Sequence, residues 1–350
     1  GSRHRDEAFG DPYELPPDRA YAETCAAIAS CMLSFRLLLA TGEARYAELA
    51  ERTLHNAIAG ALAADGRSFF YANPLQQRVA GPAPDPDALS PRAATGLRAP
   101  WFEVSCCPTN LSRMLASLGG YTATADSAGI RLELLTGAEI RTVLPGGRRA
   151  GLHVETGYPW RGRVRVMVTD SDGAPWQIGL RVPSWASGAT LIVDGKPRGV
   201  AAGDYASAER PWRLGDELIL ELPIAPRWTY PDPRLDAVRG TVAVERGPLV
   251  YCVESIDLAP GLDLERVAVI TSAPPIDGPA ASAGAPVVTV RAVAAAGDPP
   301  RWPYGPDRPA PATAEPAPVC MVPFYARANR GPAAMRVFLP EHEADARRNR

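Results

Sequence analysis

A single change in the period of the apolar residues, near Ser127, restricts the fold of this chain more than any other feature. Upstream of it the spacing is helical. Residues 20–41 (AYAETCAAIASCMLSFRLLLAT) are rich in Ala and Leu and apolar on most faces, which predicts a buried helix stopped by Gly42. In residues 43–64, Tyr46, Leu49, Ala50, Leu54, Ile58 and Leu62 recur at helical spacing before Gly66, predicting a second helix. A third is expected after Pro108, since proline suits a helical first turn, and to run to about Leu118. Between the second and third, SFFYANPL reads as extended chain. Downstream of Ser127 the runs IRLELLT, EIRTVL, GLHVETGY, RVRVMVTD, WQIGLRVP, ATLIVDG and ELILELP alternate between Gly, Pro and Asp punctuation. Their regular spacing predicts an antiparallel sandwich or jelly roll. TVAVERGPLVYCVES, RVAVI, APVVTVRAV, PVCMVPF and MRVFL predict a second one after about Pro226. The expected division is therefore 1–125 helical, 126–226 a first sandwich, and 227–350 a second with a Pro-rich loop and a flexible tail. Three helices of this hydrophobicity cannot cover their own apolar faces, so they are expected to be the last piece of a larger helical domain.

Composition narrows the functional classes. With 350 residues, two or three compact units are expected, and 46% hydrophobic against 22% charged residues is globular composition. A net charge of −2 leaves no basic footprint for nucleic acid or an anionic membrane. No apolar run is expected to reach the length of a membrane span, so the chain reads as soluble. The 37 prolines exceed ordinary usage, and much of the excess falls in residues 81–100 and 274–318, which read as loops. Six cysteines are too sparse for a disulfide scaffold, and reduced thiols favour a cytoplasmic setting. The opening GSRHRDEAFG has no start Met and reads like the middle of a protein, or carries a Gly-Ser cloning scar.

The chemistry concentrates in Glu23, Cys25, Cys106 and Cys107. Positions two apart on a helix face nearly opposite ways, so Glu23 and Cys25 converge only where the backbone is not yet helical, and Pro16-Pro17 upstream makes a late helix start credible. Adjacent cysteines share one metal only on an irregular turn, and Pro108 marks such a helix entry. Three thiolates and a carboxylate suit a tetrahedral zinc ion. Two other readings stay open: core thiols beside a surface glutamate, and a strained Cys106–Cys107 disulfide.

The stretch GSRHRDEAFGDPYELPPDRAYAETCAAI, with FFYANPL and WFEVSCCPTN, resembles glycoside hydrolase family 127, the β-L-arabinofuranosidases. YPWRGRVRV, LRVPSWA and GTVAVERGPLVYCVE look like that family's β-sandwich modules. The resemblance implies an α+β multidomain fold: the C-terminal part of a catalytic (α/α)6 barrel followed by two antiparallel, jelly-roll-like β-sandwiches. It implies zinc (Zn2+) held by Glu23, Cys25, Cys106 and Cys107, with Cys106 the nucleophile. The acid/base falls on Glu7, sixteen residues before Glu23. Tyr71 corresponds to a family tyrosine near the nucleophilic sulfur, and Trp101 is expected to wall a sugar pocket; core packing is the alternative for both. The implied reaction is retaining hydrolysis of β-L-arabinofuranosides or related pentosides, with a glycoside or oligosaccharide as partner and a second copy of the chain as the other candidate. A structural-zinc carbohydrate-binding or assembly module, or an inactive piece of such an enzyme, is the competing reading. The sequence departs from the family in having CCPTN where a second proline is commoner. The amino-terminal part of the barrel, source of the family's sugar-contacting histidines, has no counterpart in these residues. Cys31, Cys252 and Cys320 are expected to be core thiols.

Overall fold

The computed structural model describes residues 8–92, 96–260, 262–278, 286–294, 305 and 315–342. It is mostly sheet with few helices, and its sheets are not closed. The chain divides into two compact units, one made of Cys25–His55 with Cys106–Ile224, the other of Gly1–Thr24, Asn56–Ser105 and Ala225–Arg350.

Helix α1 spans Thr24–Thr41. It begins four residues later than its composition suggests, because the preceding backbone is engaged elsewhere. Glu23 forms an antiparallel bridge with Ala72, and the Asn73 N–H donates to Ala22 O at 2.8 Å. Gly42 does end the helix: its φ of +71° is a left-handed conformation that side chains resist, and its N–H returns to Leu38 O at 2.7 Å. The helix is less buried than expected, since Leu33 and Leu39 are exposed. It is also long and apolar enough to pass, by length and composition, for a membrane-crossing helix. That corrects the sequence expectation that no run reaches this length. Helix α2 (Ala44–Thr53) continues through a π turn (Leu54–Ile58) into the short α3 (Ala59–Ala61). It stops before the expected Leu62, which instead bridges Phe69 around a turn containing Gly66.

In the first unit, a four-stranded and a six-stranded sheet share one core. The four-stranded sheet orders Asp204–Pro211, Pro175–Val182, Gly129–Leu132 and Ala123–Ala125. The six-stranded sheet orders Ala138–Leu144, Arg148–Thr156, Arg163–Ser171, Glu217–Glu221, Thr190–Val193 and Lys196–Gly199. Val164, Val166 and Val168 alternate inward and meet Ile130, Ile178 and Leu180 from the other sheet. Each such side chain, fully buried, contributes about 1.5–3 kcal/mol. The outward Arg165 donates to Glu155 at 2.7 Å and pairs with Glu217, so opposite charges sit across neighbouring strands. One pairing departs from the expected antiparallel pattern: Gly129–Leu132 runs parallel to Pro175–Val182. The approach is close enough that a Cβ on Gly129 would lie 1.9 Å from the Gln177 carbonyl oxygen.

A buried ion pair ties α2 to this core. Glu51 and Arg181 are bonded to each other, 1% and 0% exposed, and the Tyr158 hydroxyl donates to Glu51 at 2.8 Å. Burial raises the Glu51 pKa, while the charge of Arg181 and the Tyr158 hydroxyl oppose that rise; the guanidinium keeps its proton in proteins, so Glu51 faces a fixed positive charge. Nearby His55, only partly exposed, has its pKa lowered to about 4 by burial and then by the charge of Arg181. The unfolded imidazole binds its proton near pH 6.5, the folded one only near 4, so folding is favoured above 6.5 and loses ground as pH falls between them. We expect His55 to remove on the order of 3 kcal/mol over that window. Urea unfolding from pH 7 to 4 checks this: His55→Gln should flatten the slope, and an unchanged slope would rule the contribution out.

In the second unit, ten strands form one sheet. Its path runs Gln76–Gln77, Met335–Arg336, Leu249–Glu254, Ala317–Pro323, Val288–Ala294 and Val267–Val269, and Thr241–Arg246 pairs off Leu249–Glu254. Val242, Val244, Tyr251, Val253, Val288 and Val290 fill the core. Gln76–Gln77 is too short and polar for any periodicity to announce it. Cys31 and Cys252 are buried as expected, whereas Cys320 is only partly so.

Candidate metal centre

The metal-binding potential starts with where two helices begin. Helix α4 spans Cys106–Ser117, so the two adjacent cysteines occupy its first turn with Pro108 just behind them. Cys25 lies in the first turn of α1, and Glu23 stands just outside it in the bridge to Ala72. This non-helical Glu23 is what lets two ligands spaced by two residues point the same way. First-turn N–H groups favour negative charge, which suits thiolates at both helix starts.

One donor atom from each of Glu23, Cys25, Cys106 and Cys107 lies within 4.8 Å of the others. The Sγ atoms of Cys25 and Cys107 are 3.7 Å apart, and those of Cys106 and Cys107 are 3.9 Å apart. Zinc–sulfur bonds of about 2.3 Å at tetrahedral angles would set neighbouring sulfurs roughly 3.8 Å apart. The donor set therefore fits zinc in type and spacing. A disulfide needs sulfurs about 2.05 Å apart, so the vicinal-disulfide reading fails and all these cysteines are free. Burial, opposed by a hydrogen bond from Asn110, raises the Cys25 thiol to about 12, and burial likewise raises Cys107. Without a cation, this pocket disfavours packing several thiolates together.

The cysteines are not equivalent. Cys107 is fully buried, while Cys25 and Cys106 are partly exposed. Asn110 closes the CCPTN segment, where no spacing rule marks it as a partner of Cys25. Its carboxamide oxygen accepts from Arg113, leaving the amide to donate to Cys25. Tyr71 is buried against Tyr21 and Phe102, and its carbonyl accepts the Thr24 N–H at 2.9 Å. Trp101 is 46% exposed and meets Phe69 edge-on with ring centroids 6.3 Å apart. Glu7 and His4 lie outside the described residues. His153 pairs with Glu139 and Glu155 on the solvent-facing side of Arg148–Thr156, far in sequence from the cluster.

Comparison with known proteins gives consistent matches. Residues 1–120 match the family model "Beta-L-arabinofuranosidase, GH127 catalytic domain". Residues 129–224 match the GH127 middle domain and 226–340 the glycoside hydrolase family 127 C-terminal domain. A non-reducing end β-L-arabinofuranosidase of Bifidobacterium longum subsp. longum is 32% identical, over 97% of this chain and 52% of that protein. A crystal structure of a GH127 β-L-arabinofuranosidase from Geobacillus stearothermophilus T6 superposes with a TM-score of 0.82 at 33% identity, covering 95% of this chain and 52% of that one. The GH127 β-arabinofuranosidase BT3674 gives 0.80 at 30% identity, covering 99% and 53%. The chain thus spans about half the length of the relatives it matches.

Proposed function

The chain belongs to glycoside hydrolase family 127, and from that premise we propose that it acts as a retaining hydrolase of β-L-arabinofuranosides or related pentosides, using Cys106 as a zinc-held nucleophile. The observation that carries this reading is the four-donor cluster with tetrahedral sulfur spacing, in which Cys106 is the accessible member of the vicinal pair. The names of the matched relatives support the arabinofuranoside class. Residues 1–125 are read as the C-terminal part of an (α/α)6 barrel and the remainder as two β-sandwiches, a three-part division that the matched catalytic, middle and C-terminal domain models support.

Glu23, Cys25, Cys106 and Cys107 would hold zinc, whose charge lowers the thiol pKa and keeps the sulfur ionised and oriented at neutral pH. The Cys106 sulfur attacks the anomeric carbon as Glu7 protonates the departing oxygen. Glu7, now a carboxylate, takes a proton from water. That water displaces the sulfur, and two inversions leave the configuration retained. Tyr71, anchored beside the Glu23–Cys25 turn through Thr24, is assigned as a hydrogen-bond donor toward the nucleophile. Trp101, with its exposed ring, is assigned to sugar stacking.

A second reading keeps the zinc but makes it structural in a carbohydrate-binding or assembly module, because four protein ligands with no open position are the usual structural arrangement. Metal analysis should find one zinc per chain under either reading. Removing it with a chelator should lower the unfolding free energy by about 4 kcal/mol when the free metal had stood at a thousandfold its Kd. Turnover of an aryl β-L-arabinofuranoside separates the two. Zinc binding without turnover supports the structural reading, and a chain that holds no zinc defeats both.

A further inference from the structure

Thr24 stands between the two metal ligands Glu23 and Cys25, touches neither substrate nor metal in the proposed chemistry, and is wholly buried. Its hydroxyl donates to Phe70 O at 2.7 Å, so it accepts rather than donates in its second contact, at 3.0 Å from Asn73 Nδ2. Asn73 is buried too, and its Oδ1 accepts from Arg327 Nη2 at 2.8 Å. Arginine can only donate. It therefore forces the Asn73 oxygen toward itself and the amide toward Thr24 and Ala22 O, so every bond in the chain has one permitted direction. Asn73 also clamps the same turn through its backbone, donating to Ala22 O at 2.8 Å.

Arg327 itself is an expensive residue to keep here. Its guanidinium lies over the Phe324 and Phe70 rings, 3.8 and 4.5 Å from their centroids. It hydrogen-bonds neutral acceptors, Phe324 O and Asn73 Oδ1, and no carboxylate among the described residues bonds it directly. A buried charge without an ion-pair partner costs free energy that an apolar side chain would not. Phe70 closes the loop, since its carbonyl ends the donor chain and its ring stacks on the arginine that starts it.

We infer that Arg327, Asn73 and Thr24 are positioning residues: a one-way hydrogen-bond chain that fixes the Glu23–Thr24–Cys25 turn and so sets the aim of two metal ligands. The inference rests on the metal-centre reading above. Partners that orient metal ligands typically change metal affinity by about 10–100-fold when removed.

Cobalt(II) titration of the full chain, followed by the sulfur-to-cobalt charge-transfer band, tests it without any turnover. Thr24→Ser keeps the hydroxyl and should match the parent chain in affinity and band position. Thr24→Val keeps the shape but loses the hydroxyl. Asn73→Asp keeps an acceptor for Arg327 but loses the donor to Thr24. Both should bind cobalt about 10–100-fold more weakly with a shifted band, while apo far-UV circular dichroism stays that of the parent. The double variant should add little to either single one, because the two changes break one chain. Parent-like cobalt affinity in Asn73→Asp and Thr24→Val would overturn the inference and leave the metal centre standing. No thiolate band in the parent chain would overturn both. Should Thr24→Val fail to fold, Asn73→Asp decides alone, since it replaces only one amide group.

Discussion

Cys106→Ser is expected to lower kcat on an aryl β-L-arabinofuranoside by about a thousandfold or more, the scale on which removal of a covalent nucleophile acts. A serine hydroxyl is a far weaker nucleophile than a thiolate at neutral pH. The two sulfurs are only 3.9 Å apart, so the neighbouring variant is the informative control. Cys107→Ser removes a fully buried ligand and should first reduce zinc content, with activity lost in proportion. A Cys106→Ser chain that retains parent kcat, or a trapped glycosyl adduct found on any other residue, would end the nucleophile assignment. Glu7→Gln should slow turnover as well, with azide restoring the deglycosylation step if Glu7 is the acid/base.

The second large effect is structural. Arg181→Met is expected to cost about 3–5 kcal/mol in urea unfolding, because it leaves the Glu51 carboxylate buried with no opposite charge. Glu51→Leu combined with Arg181→Met should recover most of that loss, since desolvating two charges already cost much of what their attraction returned. The midpoint should shift while the urea slope stays near that of the parent. A cost below 1 kcal/mol for the single variant would mean that water reaches Glu51 and the pair is not a buried one.

Both expectations depend on residues whose partners are remote in the chain, and this is where reading from sequence ran short. Strands such as Arg163–Ser171 were legible because alternation is written residue by residue: Val164, Val166 and Val168 inward, Arg163 and Arg165 outward. The stop at Gly42 was legible for the same reason, as one residue's backbone freedom. Helix α1 was misjudged at its start because Ala22 and Glu23 are claimed by Ala72 and Asn73, some fifty residues on. Lys196–Gly199 escapes a sequence reading because it is exposed throughout, and Asp204–Pro211 because its apolar residues are only Tyr205, two small alanines and a closing proline.

The sequence by itself determined the change from helical to alternating period, most strand positions and the four residues able to hold a metal, because side-chain type and short-range spacing carry that information. Only the tertiary structure decided that Cys25 and Cys107, 82 residues apart, bring their sulfurs to 3.7 Å. It also decided that Cys107 is buried while Cys106 is not, that Arg181 neutralises Glu51, and that Arg327 reaches Asn73 across 254 residues. Those pairings follow from which apolar surfaces pack and which buried polar groups then need partners, a balance struck over the whole chain that no short stretch of sequence contains.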